Sequence, residues 1–431
     1  AYPETVQAGM FSISFIPISH SIPESSGLII DTPEGRIVHT GDFKLDETPG
    51  VGEAFDPNLW AEIAKPGVRA LVCDSTNVFS PHAGRSEASV GPEITKLIAS
   101  ASGMVVATTF ASNIARVKTL AEAGQRAGRS VVLLGRAMRR MVTAAVEVGI
   151  LTDFPKTISP EDAAKIPREN VMLLATGSQG ERRAATAQLS RGKYLGMALK
   201  PGDMFLFSSK TIPGNEKSVS RIVNAFSEMG VYVVDDTMGH YHVSGHANRP
   251  DLATMHRIIA PQFLIPMHGE HRHLREHVKL GAEAGLPGIV APNGVMLDLS
   301  GNSPTIAEYI DTGRTYLDGK VQIGAMDGVV RDRIRMALNG LVVVTLLIEN
   351  DEPLGDGWCE INGLPEIGIS RAPLVDVLEE DVTQFLQRAN KKTLKDDDKI
   401  DEAIRRIVRK SANDEVGKKP EVRVIVSRLA G

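Results

Sequence analysis

Five residues, His20, Asp42, Asp74, His246 and His268, each stand beside or just after a short apolar strand or a turn. A strand end provides a rigid base and an exposed side chain, which a metal site needs if its ligands are to be held in place. Imidazole nitrogen and carboxylate oxygen are suitable donors to zinc or manganese. No short-range ligand motif joins the five, and a single strand-end histidine is more often simply hydrogen-bonded. Spacing alone leaves both readings open. Among the other histidines, His82 lies in a proline-containing loop and reads as ordinary, and His39 sits inside a strand, where a packed or hydrogen-bonded role is expected. His271, His273 and His277 invite a rival metal site, but the spacing predicts a solvated amphipathic helix following the His268 turn.

The elements that must position these residues recur from residue 10 to about 300 as a short apolar strand, a small polar turn and a helical stretch. "ALVCDSTN" (70–77), "MVVATTFASNIARVKTLAEAG" (104–124), "VMLLATGSQGE" (171–181) and "FLIPMHGEHRHLREHVKLGAEAG" (263–285) are examples. This alternation predicts an α/β fold with largely parallel, buried strands. In such sheets ligands collect beyond the carboxyl ends of the strands. From 309 to 325 the rhythm breaks into polar, glycine-containing sequence, read as a linker. Beyond it "RDRIRMALNGLVVVTLLIEN" reads as two strands joined at "NG", followed by helices and a closing strand, "EVRVIVSRL". That makes a small C-terminal α+β domain.

At 431 residues the chain is long enough for two or three domains. Its net charge of -5 gives no global reason to expect nucleic acid, so any such site must be a local patch. Two cysteines, Cys73 and Cys359, make neither a disulfide framework nor a CxxC site, and fit a reducing cytoplasm. No apolar run is long enough to span a membrane, and no basic-then-apolar signal opens the chain. It begins almost directly in a strand, which reads as the middle of a domain.

The segments "HSIPES", "HTGDFKLD", "DSTN", "TFASN", "SGHANRPD" and "PMHGEHRHL", in this order and spacing, resemble the ribonuclease J family. That resemblance covers essentially the whole chain. It implies a metallo-β-lactamase αββα sandwich carrying an inserted β-CASP α/β domain and a small C-terminal α+β domain. The expected boundaries are 1–85 and 251–308 for two segments of the metallo-β-lactamase domain, 86–250 for β-CASP, 309–325 for the linker and 326–431 for the C-terminal domain. It also implies His20, Asp42 and His268 as metal ligands, Asp74 as a partner orienting a metal-bound histidine, and His246 near the scissile phosphate. Ser112, Ser244 and His246 would form a pocket for an RNA 5′-monophosphate. Locally, Ser112 reads as the N-cap of a helix starting at Ile114, and helix N-termini also bind phosphate. The glycine between Ser244 and His246 lets backbone approach closely.

One departure matters. The family's HxHxDH signature occurs nowhere in these residues. Two zinc ions need about four ligands each, and His20, Asp42 and His268 supply only part of that set. Roughly a hundred further N-terminal residues, a large part of a domain of ordinary size, are therefore expected. The implied function is a metal-dependent ribonuclease that acts 5′ to 3′ on monophosphorylated RNA and also cuts internally. It would hold two Zn2+ per subunit, with Mn2+ or Mg2+ as substitutes. The expected partner is RNA, in a cytoplasmic homodimer or homotetramer assembled through the C-terminal domain. The rival readings are a non-catalytic RNA-binding or assembly subunit and a DNA-processing β-CASP nuclease.

Overall fold

The computed structural model describes residues 4–325 and 327–429, which divide into two compact units, Ala1–Ile310 and Asp311–Gly431. In the first unit a six-stranded sheet runs in the order Thr5–Ala8, Phe11–Pro17, Ser26–Thr32, Gly35–His39, Ala70–Asp74 and Phe263–Met267. Its last three strands are parallel, and the earlier ones pair antiparallel. Two successive reversals make Phe11–Pro17 point the same way as Gly35–His39. Four strands therefore end at one edge, and the residues just beyond them can meet there.

A second, five-stranded sheet is entirely parallel, in the order Tyr232–Val234, Met204–Phe207, Val105–Thr108, Val171–Ala175 and Ser130–Leu134. Three of its strands are buried at every position, as parallel strands covered on both faces must be. Two apolar clusters sandwich it: Val105, Ala107 and Leu206 with Ile114 and Val117 on one side, Val106, Phe205 and Phe207 with Phe226 on the other. The first sheet packs its own cluster around Ile16, Val38, Leu71 and Trp60. This mixed α/β arrangement is the expected fold class.

The second unit centres on the strand Leu341–Glu349, antiparallel to Trp358–Asn362 and parallel to Glu421–Leu429. Helices Leu374–Arg388 and Asp397–Val416 cover its apolar face. One expected strand is a helix. "RDRIRMALN" lies within the helix Val329–Asn339, which stops at Gly340 with φ +79°. The alternation of Ile334, Met336 and Leu338 imitates a strand, but all three are exposed, and Arg, Met, Ala and Leu are strong helix formers. "NG" ends a helix here instead of turning a hairpin, since both need a left-handed residue. Within 309–325, Thr315–Asp318 and Val321–Gly324 pair antiparallel, and Arg333 makes two 2.8 Å bonds to Asp318. Among the described residues no helix is long and apolar enough to cross a membrane.

Candidate metal centre and phosphate cavity

The parallel register explains the convergence of the chemical residues. Met267 lies opposite Asp74, and His39 opposite Val72, so His268, Asp74 and the Thr40–Asp42 turn emerge at the same sheet edge. Asp42, Asp74, His246 and His268 each place a ligand atom so that all four atoms lie within 4.8 Å of one another. His268 Nδ1 is 2.7 Å from Asp42 Oδ1. The His20 ring centroid is 5.1 Å from that of His246. His268 has φ +52°, a left-handed conformation that a non-glycine residue adopts at a cost and that is concentrated at functional sites.

Hydrogen bonds decide which nitrogens remain free. His20 Nδ1 donates to the Gly245 carbonyl at 2.8 Å, which leaves Nε2 as a lone pair. Only glycine permits this approach, because a Cβ at 245 would lie 1.9 Å from Ser21 Oγ and 2.9 Å from the His20 ring. His246 Nδ1 donates to Asp74 Oδ2 at 2.6 Å, fixing its tautomer. Asp74 is almost fully buried, and its Oδ1 accepts from the Thr76 amide at 2.8 Å and hydroxyl at 2.6 Å. Burial pushes the Asp74 carboxyl up, but the bonds from His246 and Thr76 outweigh it and hold the group below the usual range. Burial pulls His246 down, and the Asp74 bond overrides it and raises the imidazole. His20 is lowered, chiefly by burial, which favours the neutral form that ligates metal. Two carboxylates and two imidazoles gathered this closely fit a divalent metal ion, with the His20 ring beside them.

Beside this cluster lies a cavity whose lining includes the cations Lys44, Arg85 and Lys210 together with Ser244, His246 and Asn77. Asn77 Nδ2 donates to Ser244 Oγ at 2.8 Å and to the His246 carbonyl at 3.1 Å, tying the "DSTN" and "SGHA" turns together. Ser112 is not among the lining residues. It is not the N-cap either: Asn113 Oδ1 accepts from Arg116 N at 2.9 Å and caps the helix from Ile114. The serine stands one position too early, with its own carbonyl accepting from Ile114 N.

Residues 102–226 match the family described as ribonuclease J, beta-CASP domain, residues 233–292 the Zn-dependent metallo-hydrolase RNA specificity domain, and residues 328–429 the ribonuclease J C-terminal domain. The chain is 37% identical over 429 residues to a ribonuclease J of Sinorhizobium meliloti, covering 99% of this chain and 76% of that relative. The chain belongs to the ribonuclease J family. Ribonuclease J 1 of Streptococcus pyogenes is 36% identical across 78% of this chain and 61% of its own length, and ribonuclease J of Mycolicibacterium smegmatis 32% identical across 97% and 75%. The chain thus spans about three quarters of the first and third relatives and 61% of the second.

Within this family frame, several site residues escaped the sequence reading. Lys44 is buried and bonded at 2.7 Å to Asp46, yet it stands in the quoted "HTGDFKLD" and lines the cavity. His82, read as ordinary, lines it too, as do Lys210 and His242. Gln179, in the "GSQGE" loop, braces the Lys210 turn by bonds to the Lys210 carbonyl and from Ile212 N. His277 is not on a solvated face. It is fully buried, and its spacing from Leu274 and Gly281 on the buried stripe of the helix His271–Glu283 was the available signal.

Proposed function

We propose that this chain carries much of a metal-dependent ribonuclease that degrades 5′-monophosphorylated RNA in the 5′-to-3′ direction and also cuts internally. Residues 1–85 and 251–308 serve in this reading as the metallo-β-lactamase segments, 86–250 as the β-CASP domain, and the chain from 326 as the C-terminal domain. The observation that carries the reading is the meeting of Asp42, Asp74, His246 and His268 beside a cavity lined by Lys44, Arg85 and Lys210. His20, Asp42 and His268 would hold two Zn2+ ions, or Mn2+ or Mg2+ in their place, together with ligands from elsewhere in the intact protein. When bound, such ions supply a nucleophile at neutral pH and stabilise the charge of an in-line phosphodiester displacement.

The chain's own groups do the rest. Asp74 holds His246 in one tautomer and aims its Nε2 toward the scissile phosphate. Ser244, fixed by Asn77, and the three cations receive the 5′-terminal phosphate. The buried Thr109 and Ser209 hydroxyls, just past the ends of adjacent strands, make no hydrogen bond among the described residues and offer further donors to that side. Ser112, outside that cavity's lining and one position before the N-cap Asn113, would reach the phosphate from the approach to the helix Ile114–Arg126. Contacts to phosphate and sugar carry little base specificity. The C-terminal unit joins subunits into a dimer or tetramer in the cytoplasm.

The test uses intact protein on one RNA carrying a 5′-monophosphate, triphosphate or hydroxyl. Charge-assisted hydrogen bonds of about 1.5–3 kcal/mol each predict at least about tenfold faster exonucleolysis from the monophosphate. Alanine at both Ser112 and Ser244 should erase much of that preference while sparing internal cuts. Equal wild-type rates on all three ends would refute the pocket.

A further inference from the structure

Behind the site lies a buried polar chain that the proposed chemistry does not use. His277 and Ser75 are fully buried, and His256 is nearly so. Ser75 Oγ is 2.8 Å from His277 Nδ1, and His277 Nε2 is 3.0 Å from His256 Nε2. The two rings are nearly coplanar, at 16°, with centroids 5.1 Å apart. That separation is only slightly less than the nitrogen gap plus the two ring radii, so the nitrogens point end-on at each other. They share one proton. Burial holds both imidazoles neutral, pushing His256 down to about 4 and His277 to about 3.

The direction of the chain follows from which end can be left unpaired. Ser75 has one hydroxyl proton and lies 3.4 Å from the Cys73 carbonyl. If it donates there, His277 Nδ1–H donates to Ser75 and His256 Nε2–H donates to His277. His256 Nδ1, which is buried without a partner, is then a bare lone pair. The opposite assignment would bury an unpaired N–H, the rarer of the two defects. The chain therefore runs from the helix Arg249–Ile259, through the helix His271–Glu283, onto the end of the strand Ala70–Asp74.

The Cys73 thiol lies within ligand range of both histidine nitrogens, so the trio imitates a metal site. Two features argue against that. The rings approach end-on, whereas two ligands of one ion would converge at an angle. A metal-bound histidine also almost always donates its second N–H, and His256 Nδ1 has no acceptor.

We propose that His277, with His256 behind it, is a positioning residue. By gripping Ser75, it sets the turn on which Asp74 and Thr76 orient His246. This rests on the functional reading of the Asp74 cluster. Ser75 lies between Asp74 and Thr76, so a rotated Ser75 displaces both partners of the 2.6 Å bonds described above. A misplacement of about 1 Å can cost about a hundredfold in rate.

The test compares His277→Leu, which removes both bonds, with His277→Asn, whose amide can still donate to Ser75. In the intact protein, below the unfolding temperature, His277→Leu should lower kcat on RNA about a hundredfold at unchanged KM. His277→Asn should recover at least tenfold of that, although its thermal midpoint stays reduced because the bond to His256 is lost. A purely structural role predicts lowered midpoints with unchanged kcat in both variants, and that result overturns the proposal. A second arm does not depend on activity. With nitrogen-labelled histidine, the downfield Nδ1 proton of His246 should shift or broaden in His277→Leu and return in His277→Asn. If wild type fails to cut RNA, the functional reading falls, while this resonance still decides the positioning claim; no change in it defeats that claim. A thiolate-to-cobalt absorption band that disappears in Cys73→Ser would overturn it too, by making the trio a metal site.

Discussion

The two units of this protein differ most in what they bury. All eleven histidines fall between residues 20 and 277, in the first unit, whose interior also holds Lys44, Asp46, Asp74, Glu87, Arg116 and Asp203. The second unit encloses aliphatic side chains: Val342, Val344, Leu346 and Ile348 from one strand pack against Leu374, Leu378 and Val382 of one helix and Ile400, Ile404 and Val408 of another. Among its described residues, Ser411 is the one buried polar side chain. A buried charge must be paired and hydrogen-bonded to be tolerated, and such pairs are weak sources of stability. The first unit carries oriented polar groups at that cost, whereas the second is built as an ordinary packed core.

The largest expected effect falls on the first unit's chemistry. Asp42→Ala removes a carboxylate that would hold the metal ions in the proposed reading, and the several kcal/mol of charge stabilisation such ions supply correspond to a rate loss of roughly a hundred- to a thousandfold. Initial rates should show that loss, and fluorescence anisotropy should show RNA binding largely intact. Full activity of this variant after chelator treatment would break the metal reading.

Acid comes next. His242 is pushed down to about 3 by burial and by Arg116, and His256 and His277 lie similarly low. For these bases the folded value is depressed, so the unfolded chain binds more protons between the folded values and about 6.5. Stability is complete above about pH 6.5 and falls as the pH drops. At about 1.4 kcal/mol per pH unit for each proton, and with the unfolded imidazoles half protonated at pH 6.5, these three histidines should cost the first unit about 5 kcal/mol between pH 6.5 and 5. The second unit has no histidine and should stay level over that window. Trp60, fully buried in the first unit, and Trp358, exposed in the second, allow the two transitions to be followed by fluorescence. Parallel acid sensitivity in both units would erase the contrast.

A buried ion pair sharpens it further. Arg116 and Glu87 are joined by two hydrogen bonds, the one from Nη2 to Oε2 at 2.9 Å, and Arg116 also reaches Ser208 Oγ at 3.0 Å. Glu87→Gln should cost about 3 kcal/mol, read as a lower midpoint of the Trp60 transition alone. In the second unit the matching change is a cavity: Leu378→Ala should cost about 2 kcal/mol or somewhat more, lowering only the second transition and sparing the cleavage rate of the folded enzyme.

Much of this was legible in the residue order. Strand-turn-helix alternation led to a mixed α/β fold, because local periodicity and turn chemistry report secondary structure directly. The same reading misjudged "RDRIRMALNG", where a period of two coincides with strong helix formers and "NG" serves either element. It placed the cap at Ser112 instead of Asn113, since serine and asparagine cap almost equally well and only the backbone path distinguishes them.

What the sequence determined by itself was therefore the kind of element at most positions, the family motifs and the set of histidines and aspartates at strand ends. Which of those meet was decided by tertiary structure. Two antiparallel reversals and two parallel pairings bring residues 20, 42, 74 and 268 to one edge, and the 225 positions between His20 and the Gly245 carbonyl are closed by a single 2.8 Å bond. His277 shows the limit most clearly. On its helix it is one of several histidines, and only the close approach of a second helix and a strand end makes it a buried, neutral partner of Ser75. Contacts between residues far apart in the chain depend on how layers pack, and a one-dimensional pattern holds no record of that packing.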